Sequence, residues 1–196
     1  MAAFLRKRAV GPSVRPNSRQ YGHKEIRSVL FSMSHGKCYY CERKLREEDG
    51  EVEHFVGVAT EPELAFDWPN LYLSCRSCNQ AKRRRTYAVN ECLDPCNPDV
   101  PPEEHLTFDD EYVRPKNNSE AGRKTIQKYR LDRDELDHLR VKQLHRFERF
   151  LRMLQEKKRA SGNPITKDEL AQVARFGRPE HEFSLMFRVY LEALNA

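Results

Sequence analysis

The sequence predicts an α+β fold: a small core of two strands and a helix, stapled by four cysteines, with an N-terminal helix and a mostly helical C-terminal lobe. Three observations carry this. Cys38, Cys41, Cys75 and Cys78 form two C-x-x-C pairs with 33 residues between them. Two short runs, "EVEHFV" at 51–56 and "NLYLSC" at 70–75, have the composition of strands. Beyond residue 119, apolar side chains recur at three- and four-residue steps, the period of helices with one buried face.

In chain order, residues 1–20 read as an extended basic arm, because Pro12 and Pro16 interrupt any helix there. Ile26, Val29, Leu30 and Met33 fall at helical spacing within 23–34, and Gly36 ends that helix. The two strands follow, and a helix starts near Asn79 and runs through the basic residues after it. The proline-rich stretch "DPCNPDVPP" at 94–102 marks a boundary, and 105–113 suits a strand and turn. Gly122 weakens the start of a helix over 119–129. "DRDE" at 132–135 resembles a capping box and opens a long helix bearing Leu136, Leu139, Leu144, Phe147, Phe150, Leu151 and Leu154. "TKDE" at 166–169 caps another helix, and "EHEFSLMFRVYLEAL" forms the last. The chain thus divides into a basic arm and helix at 1–35, a core at 36–100 and a helical lobe at 101–196.

Over 196 residues, 35 Lys and Arg face 30 Asp and Glu, a net charge of +5 that permits a polyanionic partner without requiring one. The charge is uneven. Residues 1–37 hold eight basic residues and one Glu, and residues 140–159 hold eight and two. Both stretches suit contact with phosphate and, equally, a solvated arm and helix face. No run of about 18 apolar residues is present to span a membrane. The N-terminus lacks an apolar signal core, so a cytoplasmic location is expected, with the six cysteines reduced.

Under those conditions the two C-x-x-C pairs read as ligands of one Zn²⁺. Four thiolates close its tetrahedral shell and leave no position for a water, so this zinc is structural. A redox C-x-x-C would sit in a strand–helix unit of a larger sheet, which the sequence does not show. Cys92 and Cys96 lack two further ligands nearby and read as unligated thiols.

Between the pairs lie adjacent Glu53 and His54. Asn70 opens the second strand, and Asn79 directly follows the last cysteine. Together these can cleave a phosphodiester. Glu53 and the Asn79 amide carbonyl offer hard oxygens to Mg²⁺ or Mn²⁺. His54, near an ordinary imidazole pKa of about 6.5, can take a proton from water at pH 7. Lys82, Arg83, Arg84 and Arg85 can hold the phosphate backbone without reading sequence. Neighbours on a regular strand point to opposite faces, so Glu53 and His54 converge only where the strand ends or twists. Taken alone, the pair is an exposed Glu beside a packed His.

The set as a whole, E-H between two C-x-x-C pairs, then N-L, then C-x-x-C-N with a following Lys, resembles the cysteine-containing branch of the HNH endonuclease family. The resemblance covers about residues 36–86. It implies a ββα-metal core around one catalytic divalent ion, with His54 as general base, Glu53 and Asn79 as ligands, and Asn70 orienting the catalytic loop. It also implies products with 5′-phosphate and 3′-hydroxyl ends. Two positions depart from the commoner pattern: Glu53 where Asp is usual, and Asn79 where His is frequent. Shorter pieces, "LDP" at 93–95, "HLTF" at 105–108 and "TI" at 125–126 with the helical tail, are similar to the nuclease subunits of Septu antiphage systems and their retron-attached versions. The substrate expected is nucleic acid, DNA ahead of RNA with the choice between them open, and the Septu similarity implies an ABC-type ATPase partner docked on the helical lobe. The rival reading is a non-catalytic zinc module that binds nucleic acid or a protein. It explains the cysteines and the basic run, but not the joint placement of Glu53, His54 and Asn79.

Overall fold

The structure is a computed structural model that describes residues 2–11, 14–17, 21–82 and 87–195. Its centre is an antiparallel pair, β1 (Gly50–His54) and β2 (Leu71–Cys75), in the register Glu51↔Ser74, Glu53↔Tyr72 and His54↔Leu71. The expected strands are therefore present: β1 starts one residue before 51 and ends two before 56, and β2 starts one after 70. Helix α3 (Arg76–Lys82) leaves β2 with no intervening loop. It begins three residues before the position expected from sequence, so Cys78 and Asn79 both sit inside it.

The N-terminal residues depart from the expected extended arm. Helix α1 spans Ala2–Val10, and its Phe4 is buried with Val58 and Ala65. The helix stops before Pro12, so proline limits its length rather than preventing it. Helix α2 (Lys24–Met33) ends as expected: Gly36 takes φ +66° and its N–H returns to the Phe31 carbonyl at 2.7 Å. It buries Leu30 against Leu71 and Leu73 of β2, whereas Val29 and Met33 face outward.

The C-terminal lobe begins with a hairpin, β3 (Leu106–Asp109) and β4 (Tyr112–Pro115). Helix α4 (Glu120–Tyr129) packs against it so closely that a Cβ at Gly122 would lie 2.3 Å from the His105 carbonyl oxygen. Gly122, which by propensity weakens this helix, is what permits the approach. Helix α5 (Asp134–Ser161) follows, then α6 (Lys167–Ala174) and α7 (Ser184–Asn195). The capping box at Thr166 and Glu169 forms as the sequence predicts. The one expected at 132–135 does not: Arg133 occupies the N-cap position without a side-chain cap.

Lobe and core share one apolar cluster. Tyr40, Tyr72 and the cysteines pack with Leu106, Ile126, Tyr129, Leu136, Phe147 and Phe187. Burial of such side chains is worth about 1.5–3 kcal/mol each, so the lobe is part of the hydrophobic structure around the cysteines. A polar tie reinforces it. The Glu42 carboxylate accepts hydrogen bonds from Lys37 Nζ (2.9 Å), Ser184 Oγ (2.6 Å) and the Leu185 amide (2.8 Å), and so caps the start of α7. Glu42→Gln leaves the buried Lys37 ammonium without its carboxylate. It should destabilise the fold by about 3 kcal/mol, the scale of a broken buried ion pair, as read by denaturant midpoint. A change under 0.5 kcal/mol would show that the tie contributes nothing.

Candidate active site and metal centre

The four cysteines meet as their spacing predicts. Cys38 and Cys41 flank a turn closed by the Cys38 amide on the Arg43 carbonyl, Cys75 ends β2, and Cys78 lies in the first turn of α3. All four sulfurs lie within 4.8 Å of one another, and all four residues are buried. Thiolates at about 2.3 Å from a tetrahedral zinc stand about 3.8 Å apart; Cys41 and Cys75 sulfurs are 3.9 Å apart. The Cys78 amide also donates to Cys75 Sγ at 3.4 Å. Hydrogen bonds from Cys38, Cys41 and Cys78 hold the Cys75 thiol well below the usual range, while burial pushes Cys38 up. Hydrogen bonds from its three neighbours push Cys78 up as well, so without a cation the set resists a second thiolate, and Zn²⁺ supplies the charge that four clustered thiolates need. Among the described residues, Cys92 and Cys96 join no such group: Cys92 is buried with its thiol toward the Ala88 carbonyl, and Cys96 is exposed.

Arg133 completes this centre, and sequence reasoning missed it. Its guanidinium nitrogens lie 3.6 Å from Cys78 Sγ and 3.8 Å from the sulfurs of Cys41 and Cys75. Glu135, 3.4 Å from Arg133 Nε, also pairs with Arg43, so the cation is steered from both sides. A tetrathiolate zinc centre is doubly negative, and an arginine beside it offsets that charge in a weakly screened setting. Residues 132–135 form no cap because Arg133, not Asp132, sits at the N-cap, and a guanidinium has no acceptor for the helix N–H groups.

The strand places the proposed chemistry. Side chains two apart on β1 share a face, so Glu51 and Glu53 both face α3. Asn79 of α3 donates from Nδ2 to Glu51 Oε2 at 2.7 Å. Lys82 of α3 pairs with Glu53 and also donates to the His54 carbonyl. The buried Glu53 accepts a further hydrogen bond from Tyr40, whose hydroxyl is kept protonated by burial and by the Glu53 charge. Glu51 was not singled out from sequence. Its signal is the alternation E-x-E, which puts two carboxylates on one strand face. Lys82, expected to grip phosphate, instead has a nearly buried side chain at Glu53. Arg83, Arg84 and Arg85 lie outside the described residues.

His54 is the last residue of β1, the strand end its proposed role requires, but its ring lies apart from the Glu53 cluster. It packs on Tyr21 with ring centroids 4.5 Å apart, and Nε2 is 2.8 Å from the Ala65 carbonyl oxygen. A carbonyl only accepts, so Nε2 carries the proton and Nδ1 keeps the lone pair. Burial pushes the imidazole pKa below its ordinary value, the Ala65 hydrogen bond opposes this and the Lys82 charge adds to it. The Ala65 carbonyl thus gives the ring a structural hydrogen bond as well as a place at the strand end. Asn70 is buried and binds the loop between the strands: Oδ1 accepts from the Val56 amide (2.6 Å), and Nδ2 donates to the Val56 and Leu64 carbonyls, both at 3.1 Å.

This geometry, two strands and a helix with a cysteine pair at each end, coincides with a match to a known family. Residues 38–85 match the family model described as HNH endonuclease. That segment of the chain, and not its whole length, is similar to the HNH endonuclease family. The chain is also 31% identical over 154 residues to the Septu protein PtuB of Bacillus mycoides (strain KBAB4), covering 62% of this chain and 52% of that protein. A Septu protein PtuB of Bacillus thuringiensis is 45% identical over 64 residues, 32% of this chain and 25% of its own length. A Vibrio cholerae protein of retron Vc95, named for an HNH endonuclease, is 26% identical over 160 residues, 74% and 75% of the two chains. The alignments with the two PtuB proteins thus span about half and a quarter of their length. Among the described residues, no helix is long and apolar enough to cross a membrane.

Two substitutions test the metal centre. Cys75→Ser should reduce zinc from one ion per chain and unfold β1, β2 and α3 together. Arg133→Met should leave zinc bound but speed its release to a chelator, because the charge beside the sulfurs is gone. Elemental analysis finding no zinc in the freshly purified protein would refute the site; identical release from wild type and Arg133→Met would remove the role given to Arg133.

Proposed function

We propose that this chain is a metal-dependent HNH endonuclease that hydrolyses phosphodiester bonds in DNA, as the effector nuclease of a prokaryotic antiphage system. The observation that carries the reading is His54: a neutral imidazole at the strand end, with Nε2–H held by a carbonyl and the Nδ1 lone pair left to take a proton. A packed histidine with no chemical task would not fall at the base position of the HNH domain.

In this mechanism His54 Nδ1 removes a proton from the attacking water. Asn70 holds the loop whose Ala65 carbonyl fixes the ring. Glu53 and Asn79 would hold the catalytic ion, with Glu51 beside Asn79; two carboxylates and an amide oxygen form a hard donor set that suits Mg²⁺ or Mn²⁺. When bound, that ion would supply charge neutralisation to the phosphodiester. Lys82 balances the carboxylate charge at Glu53. The arginines at 83–85 hold the substrate strand. The structural zinc takes no part in the reaction and fixes the position of α3.

The relatives' names support a defence role, and by the resemblance an ABC-type ATPase is the partner subunit. The cytoplasm, which keeps the cysteines reduced, suits both. Because the lobe shares its apolar cluster with the core, the units at 36–100 and 101–196 act as one body, and the partner docks on the lobe's outer helices. Co-purification with an ABC-type ATPase subunit tests that assignment.

Catalysis is tested on plasmid and RNA with and without Mg²⁺. His54→Ala should lower cleavage by roughly 10²–10⁴-fold, the range for a lost general base, while zinc content stays the same. Asn79→Ala should raise the Mg²⁺ concentration needed, since a ligand is lost and the base remains. Equal cleavage by wild type and His54→Ala would sink the nuclease assignment and leave a zinc module that only binds.

A further inference from the structure

His54 is held from outside the strands and helix that carry the other HNH positions. Among the described residues, its ring meets the Ala65 carbonyl at 2.8 Å and the Tyr21 ring at 4.5 Å, tilted by 57°. Tyr21 lies just ahead of α2, before the first cysteine, and packs with the Leu30, Leu71 and Leu73 cluster behind β1. Ala65 has no exposed surface and is covered by Phe4 of α1 together with Val58. Phe4 also meets Phe66 edge-on at 5.9 Å. Arg8 ties the same helix to the loop through the Ala59 carbonyl at 3.4 Å, and to Val14 at 3.0 Å.

These contacts restrict different freedoms. The hydrogen bond to Ala65 fixes one ring nitrogen but leaves the ring free to turn about that bond. The Tyr21 face removes that turn. Asn70 pins the Val56 and Leu64 backbone, while the packing of Phe4 holds Ala65 itself in place. The direction of the Nδ1 lone pair is thus set by two aromatic side chains from the N-terminal segment.

We propose that the N-terminal segment is part of the catalytic centre, with Tyr21 and Phe4 as positioning residues that aim His54 at its proton. The inference rests on reading His54 as the general base. It follows that residues 36–86, which hold every HNH motif position, do not make a full-rate nuclease alone. Misdirecting a reacting group by about an ångström costs up to about 10²-fold in rate, which sets the scale of the effect.

The test uses the full chain, with its partner subunit where cleavage requires one. Tyr21→Leu should lower kcat roughly 10–100-fold at unchanged KM, and Tyr21→Phe should keep the wild-type rate, because the ring and not the hydroxyl does the holding. Phe4→Ala should fall in the same way and Phe4→Leu should recover most of the loss. A second reading is independent of activity: the His54 ring protons, identified by their absence in His54→Gln, should show an upfield ring-current shift that Tyr21→Leu abolishes and Tyr21→Phe retains. A folded, zinc-loaded Tyr21→Leu that cuts at the wild-type rate overturns the proposal, as do His54 resonances unmoved in that variant. Full activity in His54→Ala removes the base assignment and this proposal with it. Loss of activity in His54→Ala with none in Tyr21→Leu refutes the positioning role alone.

Discussion

Four sulfurs gathered within 4.8 Å are the constraint on which the rest of this molecule depends. They join segments distant in sequence: the turn at 38–41, the end of β2 and the first turn of α3. Without a cation, packing four thiols this closely concentrates charge in a buried site, which is unfavourable. With zinc, the same packing contributes folding free energy, on the order of 10 kcal/mol in small zinc modules. A sheet of only two five-residue strands cannot hold itself in register alone. Two further ties radiate from the cysteine turn. Glu42, next to Cys41, caps α7, and Arg133 brings the start of α5 onto the sulfurs. The lobe is therefore fastened to the metal centre by charge as well as by the shared apolar cluster.

The position of α3 follows from this anchor and fixes the chemistry. Because α3 continues directly from β2, Asn79 and Lys82 lie over the face of β1 that bears Glu51 and Glu53. Strand alternation directs His54 to the other side, against Tyr21 and the loop. The carboxylates proposed to hold the ion and the imidazole proposed as base thus project from opposite faces of one strand.

Much of this was legible in the sequence because the informative residues are close in number and rigid in spacing. The C-x-x-C pairs, the strands between them and the placement of His54, Asn70 and Asn79 all follow from local pattern. What escaped depends on contacts made across the fold. Glu51 acquires meaning only once β1 is known to face α3. Arg133 lies 55 residues from Cys78, and its local context suggested a helix cap. Lys82 belongs to a basic run and reads as exposed, but one helical turn past Asn79 places it on buried Glu53. The helix at 2–10 was hidden because proline and charge argued for an extended arm, whereas a single aromatic, Phe4, finds its pocket over Ala65. Tertiary packing overrode propensity there.

The central claim is that one zinc centre holds strands, catalytic helix and lobe in a single cooperative unit. Amide hydrogen exchange, compared before and after zinc is removed by a chelator, tests it most directly. The account predicts that amides of β1, β2 and α3 lose protection together with those around Tyr129 to Leu136, where Arg133 meets the sulfurs. Loss of protection confined to residues 36–86, with α4 and α5 unchanged, would contradict it.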